Sequence, residues 1–168
     1  AERLVSTHGL HEETAYLLGF RTELGDYFEA GLASEENVDP RSFANWIGNE
    51  LISRLEPDSD PGDSKVPPAA LASLVVLVSD GKVTGGAARQ VLDRLVADGG
   101  DPSSIVEAEG LGAVGGEDTL APIVAAAPDA NPDVAEKLRG GDMKPIGVIV
   151  GFVMKETKGR ADGGEITK

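Results

Sequence analysis

The amino-acid sequence predicts an all-α protein made of two small helical modules. Apolar residues recur at spacings of three and four along most of the chain, as one face of a helix requires. Proline follows Asp or Asn at Asp39-Pro40, Asp101-Pro102 and Asn131-Pro132, pairing an N-cap with the one helical position where a missing N–H costs nothing. No Asn-Gly or similar hairpin signal lies between alternating runs, and no fixed-period repeat is present.

The elements follow in order. In "LHEETAYLLGFRTELGDYFEAGL" the spacing of Leu17, Phe20, Leu24, Tyr27 and Phe28 predicts a helical stripe, continued after Asp39 by Phe43, Trp46, Ile47, Ile52 and Leu55. Trp46, the sole tryptophan, lies among Phe43 and Ile47 and reads as a core anchor, with RNA stacking as its alternative. "EPDSDPGDSKVPP" gathers Pro, Asp, Ser and Gly between two apolar regions and reads as a linker. The expected organisation is therefore a small helical domain at 1–57, a linker at 58–66 and a second helical domain at 67–168. In the second domain Leu71, Leu74, Val75 and Val78 predict a helix stopped at Gly81, and Thr84 caps a helix burying Ala88, Val91, Leu92 and Leu95. Asp101 and Asn131 each open a further short helix, and Ile146, Ile149, Val150 and Val153 form the stripe of the last one.

Length and composition set the outer limits. A chain of 168 residues, 40% hydrophobic, can bury a core. It has no stretch near the roughly 18 apolar residues of a membrane span and no signal-peptide layout at "AERLVSTHG", so no membrane association and a cytoplasmic location are expected. The absence of cysteine excludes disulfides, thiolate metal sites and a Cys nucleophile.

Chemistry is sparse. His8 and His11 are spaced for one helix face, but Gly9 separates them and no third ligand is near, so they read as surface residues. Asp58 and Asp60 imitate a calcium loop whose Gly62 is one place early and whose last position is Ala69. The glycine-rich stretches lack the Lys-Ser/Thr of a phosphate loop, and no serine stands at a nucleophile elbow. No active site is expected.

The charge distribution is uneven. The net charge is −14, yet from Lys144 onward five basic residues face three acidic ones. In the last helix Gly147, Gly151, Lys155 and Lys158 fall on one face, smooth for two turns and cationic at its end. Close helix packing of the glycines, with the lysines complementing the helix dipole, accounts for this without a partner. The dipole already favours lysines there, so this reading comes before the alternative, a phosphate surface.

The segments "YFEAG", "DPRSFANWIGNEL", "VSDGKVTGGAARQVLD", "ANPDVAEKLRGGDMKPIG" and "GVIVGFVMKETKGRAD" together resemble the C-terminal tail of the B subunit of the bacterial aspartyl/glutamyl-tRNA amidotransferase, the GatB/YqeY family. The resemblance covers essentially the whole chain, which then looks like a fragment. It implies that the second domain is YqeY-like and that the tail binds tRNA(Asn) or tRNA(Gln) without catalysing anything itself. The chemistry converting Asp-tRNA(Asn) or Glu-tRNA(Gln) to Asn-tRNA or Gln-tRNA then lies elsewhere. ATP and magnesium would serve a separate domain of the parent protein, and the A and C subunits would be its partners; the tail itself takes no cofactor. Lys155, Lys158, Gly159 and Arg160 match the family's "MK-TKG-A" signature and inherit the proposed tRNA contact, as Lys82 and Arg89 do more loosely. Three departures stand out: Gly86 replaces a common lysine, Pro128 interrupts a helix, and the sequence ends at Lys168 where the family continues.

Overall fold

The computed structural model describes residues 2–114, 123, 126, 132–134 and 146–161, and the fold is all-α, with no strand among those residues. Pro128, the Asn131 cap and the residues after Ala161 lie outside the described residues. The helices are α1 (Glu2–His8), α2 (Glu12–Phe20), α3 (Thr22–Ser34), α4 (Pro40–Asn45), α5 (Pro68–Ser79), α6 (Gly85–Asp98), α7 (Pro102–Glu109) and α8 (Ile146–Glu156). A π-helix (Trp46–Leu51) and a short 3-10 turn (Ile52–Arg54) continue α4, and another 3-10 turn spans Pro61–Asp63. Two compact units separate. The first holds Ala1–Lys82 and Ala88–Leu111, the second Val83–Ala87 and Gly112–Lys168.

In the first unit α3 packs against α2, α4 and α5. Leu24, Tyr27, Phe28 and Gly31 form its buried side. Phe28 stacks on Phe43 with ring centroids 5.8 Å apart, and a Cβ on Gly31 would lie 2.2 Å from the Phe43 ring, so this glycine is what lets α3 and α4 approach. The first unit takes in both sides of the stretch expected as a linker: Val66 is fully buried and its carbonyl accepts a hydrogen bond of 2.8 Å from the Tyr27 hydroxyl.

The local signals at helix ends are realised. Asp39 accepts from the Ser42 N–H and Asp101 from the Ser104 N–H, each at 2.8 Å, and Gly81 closes α5 at φ 70°. Two side-chain assignments change. Phe20, expected in the buried stripe, is 75% exposed, because the chain is extended at Arg21 and the helical period restarts in α3. Trp46 is only half-buried. The wider π turn places Phe43, Ile47 and Leu51 at intervals of four along the core, and Ile52 is left half-buried.

Charged groups tie α6 to the end of the π-helix. Glu50 accepts from Arg89 Nε at 2.8 Å and from Arg54 Nη1 at 3.0 Å, and Arg54 Nε reaches Asp93 at 2.6 Å. Burial pushes the Glu50 carboxyl upward, but the two arginines outweigh it and hold the group below its ordinary range.

Burial raises the Tyr27 phenol above its ordinary value. The folded state therefore holds this proton more tightly than the unfolded chain does. Its stabilising effect is full below about pH 10 and declines as pH rises beyond it. Tyr27→Phe should cost about 1 kcal/mol at neutral pH by stranding the Val66 carbonyl. It should also flatten the alkaline fall in stability, as urea melts at about pH 8 and about pH 11 would measure.

Candidate nucleic-acid interface

α8 forms because an apolar line recurs every four residues. Ile149 and Val153 are buried, and the line runs past the helix end through Thr157 and Ala161. Val153 and Ala161 pack against Val114, Ile123, Phe152 and Met154. Ile146 and Val150, expected in the stripe, are half-buried. Thr157 is polar yet almost fully buried, and its hydroxyl is satisfied by donating to the Val153 carbonyl at 2.7 Å. Periodicity alone gave no reason to look for a buried threonine there.

The helix closes with a Schellman cap. The Gly159 N–H bonds the Met154 carbonyl at 2.7 Å and the Lys158 N–H bonds the Lys155 carbonyl at 3.1 Å. The same pair of bonds closes α5 around Gly81 and α7 around Gly110. In those two caps glycine takes the left-handed position, at φ 70° and 61°. In α8 the position belongs to Lys158, at φ 52°. A side chain there costs about 1 kcal/mol or more relative to glycine, because Cβ crowds the carbonyl.

The residues after the cap are fastened at several points. The Thr84 hydroxyl donates to the Gly159 carbonyl, the Val114 N–H donates to the Arg160 carbonyl at 2.9 Å, and Arg160 Nε donates to the Thr157 carbonyl at 2.9 Å. Thr84 is also the N-cap of α6, accepting from the Ala87 N–H at 3.3 Å. The first turn of α6 is consequently a neighbour of this loop, since a Cβ on Gly86 would lie 3.7 Å from the Gly159 carbonyl oxygen. That turn carries orphan N–H groups and the positive end of the helix dipole.

Lys155, Lys158, Gly159 and Arg160 are thus brought together on one hydrogen-bonded turn. Lys155 and Lys158 are exposed and form no ion pair among the described residues; Arg160 is half-buried. Gly147 and Gly151 are exposed, and no described atom lies within 4 Å of where their Cβ atoms would stand, so the smooth face leading to Lys155 is open. Lys82 and Arg89 belong to the first unit. Lys82 is exposed and pairs with Asp80 at 3.1 Å, while Arg89 gives its Nε to Glu50. Among the described residues no group of three His, Asp or Glu side chains is placed to hold a metal ion, and no helix is long and apolar enough to cross a membrane.

A family model described as the GatB domain matches residues 26–168. The chain is 36% identical over 167 residues to the B subunit of the aspartyl/glutamyl-tRNA(Asn/Gln) amidotransferase of Solidesulfovibrio magneticus, covering 99% of this chain and 35% of that protein. It is 45% identical over 152 residues to the protein of the same name from Paenarthrobacter aurescens, covering 86% and 30%. A third such protein, from Clostridium botulinum, is 34% identical over 169 residues, covering 100% and 35%. The chain spans about a third of the length of the curated relatives it matches.

Proposed function

The chain belongs to the GatB domain family, and from that premise we propose that it is a non-catalytic tRNA-binding module of an amidotransferase B subunit. Its role in this reading is to supply affinity for tRNA(Asn) or tRNA(Gln) and to help discriminate among tRNAs. The amidation chemistry, with ATP and magnesium, belongs to the rest of the longer polypeptide and to its A and C subunits.

The observation that carries the reading is Lys158. The chain uses glycine at the left-handed position of two equivalent caps and a lysine at the third, accepting local strain to put a cation there. Lys155 and Arg160 flank it, and the N-terminal turn of α6 adds oriented N–H groups beside the same loop. Together these form a surface for backbone phosphates, which position an RNA without reading its sequence. A net charge of −14 is compatible with this when the cations are gathered on one turn and most acidic groups lie elsewhere, although exposed Glu156 stands between Lys155 and Lys158 in sequence.

Two variants test the idea in opposite directions. Lys158→Gly should stabilise the fold by about 1 kcal/mol while weakening tRNA binding. A merely structural lysine would give the first effect without the second. Gly86→Lys places a cation beside the loop at an exposed position with room for a side chain. Fluorescence anisotropy of labelled tRNA should then show tighter binding and a log–log salt slope more negative by about 0.7–0.9, one additional phosphate contact.

The second reading is a structural appendage that arranges protein subunits and touches RNA little, which the acidity of the chain favours. It predicts no measurable tRNA affinity at moderate salt, and a change in stability but none in tRNA binding with Lys158→Gly.

A further inference from the structure

Tyr16 and Phe20 stand one turn apart on α2 with ring centroids 5.8 Å apart and planes 14° from parallel. They are 65% and 75% exposed. The core side of α2 is filled by Ala15 and Leu18, so the two rings add nothing to that core. A single exposed apolar residue needs no explanation. A stacked aromatic pair is a rigid apolar anchor of the kind that dominates protein interfaces.

The surrounding charges select the occupant. Glu12 and Glu13 precede Tyr16 by four and three residues, which puts both carboxylates on the aromatic side of α2, and both are exposed. Arg21, which follows Phe20, gives its Nε to Glu23 at 2.6 Å and its Nη2 to the Ser59 carbonyl at 2.9 Å. The patch is therefore apolar with an acidic edge. RNA would bring phosphates against those carboxylates, and a second copy of the chain would bring the same two glutamates. A protein surface with an apolar recess bordered by Lys or Arg meets both features.

About two thirds of each curated relative lies outside the stretch that this chain matches. We infer that Tyr16 and Phe20 anchor this helical unit to that remaining part of the polypeptide, in a recess edged by basic side chains. The inference rests on family membership and is independent of whether α8 meets RNA.

Hydroxyl-radical footprinting tests it, read at Tyr16 and Phe20 in two proteins: the chain as it stands, and a chimera in which it replaces the matched third of the Solidesulfovibrio magneticus relative. Both rings should oxidise quickly in the chain alone and several-fold more slowly in the chimera. Reversing the edge with Glu12→Lys and Glu13→Lys should return the chimera toward the fast rate. Equal rates in the two proteins overturn the inference. So does protection that appears only with added tRNA, which assigns the rings to RNA, or protection that grows with concentration of the chain alone, which assigns them to a second copy. If the chimera does not fold, the same footprint is read on the chain mixed with the relative's polypeptide lacking the matched third, and unprotected rings at saturating concentration are again the contrary result.

Discussion

Phe43→Ala should destabilise the first unit by about 3–5 kcal/mol. Phe43 is fully buried, stacks on Phe28, and lies so close to Gly31 that a single added carbon on α3 would overlap its ring. Removing the ring leaves a cavity bounded by rigid helices, and the glycine opposite has no side chain with which to fill it. For a domain of ordinary stability, about 5–15 kcal/mol, this is a large share. The melting temperature should fall by more than about 10 °C. Gly31→Ala tests the same contact from the other side and should cost at least about 1–3 kcal/mol by overpacking, although alanine is the better helix former. Urea denaturation followed by circular dichroism measures both. If Gly31→Ala leaves stability unchanged or raises it, α3 and α4 do not meet as described.

Lys155→Glu with Lys158→Glu should weaken tRNA binding roughly thirtyfold, taking about 1 kcal/mol for each exposed, screened contact. Folding should change far less. Both side chains are exposed, and among the described residues neither forms an ion pair whose loss would matter. The one expected penalty is at most about 1 kcal/mol for placing acids at the C-terminal end of α8, where the helix dipole favours cations. The corresponding double glutamine variant separates loss of charge from reversal and should give an intermediate affinity. An affinity that falls only in step with helicity would mean that the lysines serve α8 itself.

Much of the fold was legible because local signals and burial agree. Asp39, Asp101 and Gly81 name their helix ends through chemistry confined to a few neighbouring residues. Ala88, Val91, Leu92 and Leu95 keep a regular period and are all fully buried. The errors fall where the period breaks. An extended residue at Arg21 resets the helix and turns Phe20 outward, and a π turn after Asn45 substitutes Leu51 for Ile52 in the core. A glycine stands at each break, Gly19 before Phe20 and Gly48 within the π turn, but a lone glycine inside a periodic run does not fix where the period shifts. At the candidate site the sequence displayed the cations but not the strain. That Lys158 occupies a glycine position depends on where α8 ends, and that Thr84 fastens Gly159 joins residues 75 positions apart. No short motif encodes either one.

The salt dependence of tRNA binding tests the central claim most directly. Three cations on phosphates should give a log–log slope of about −2 to −3 for the intact chain, so that a fourfold rise in salt weakens binding by about 16- to 64-fold. With Lys155 and Lys158 both changed to glutamate, about one contact's slope, −0.7 to −0.9, should remain. A slope near zero for the intact chain, or the same slope for both proteins, would contradict the assignment of this turn to RNA.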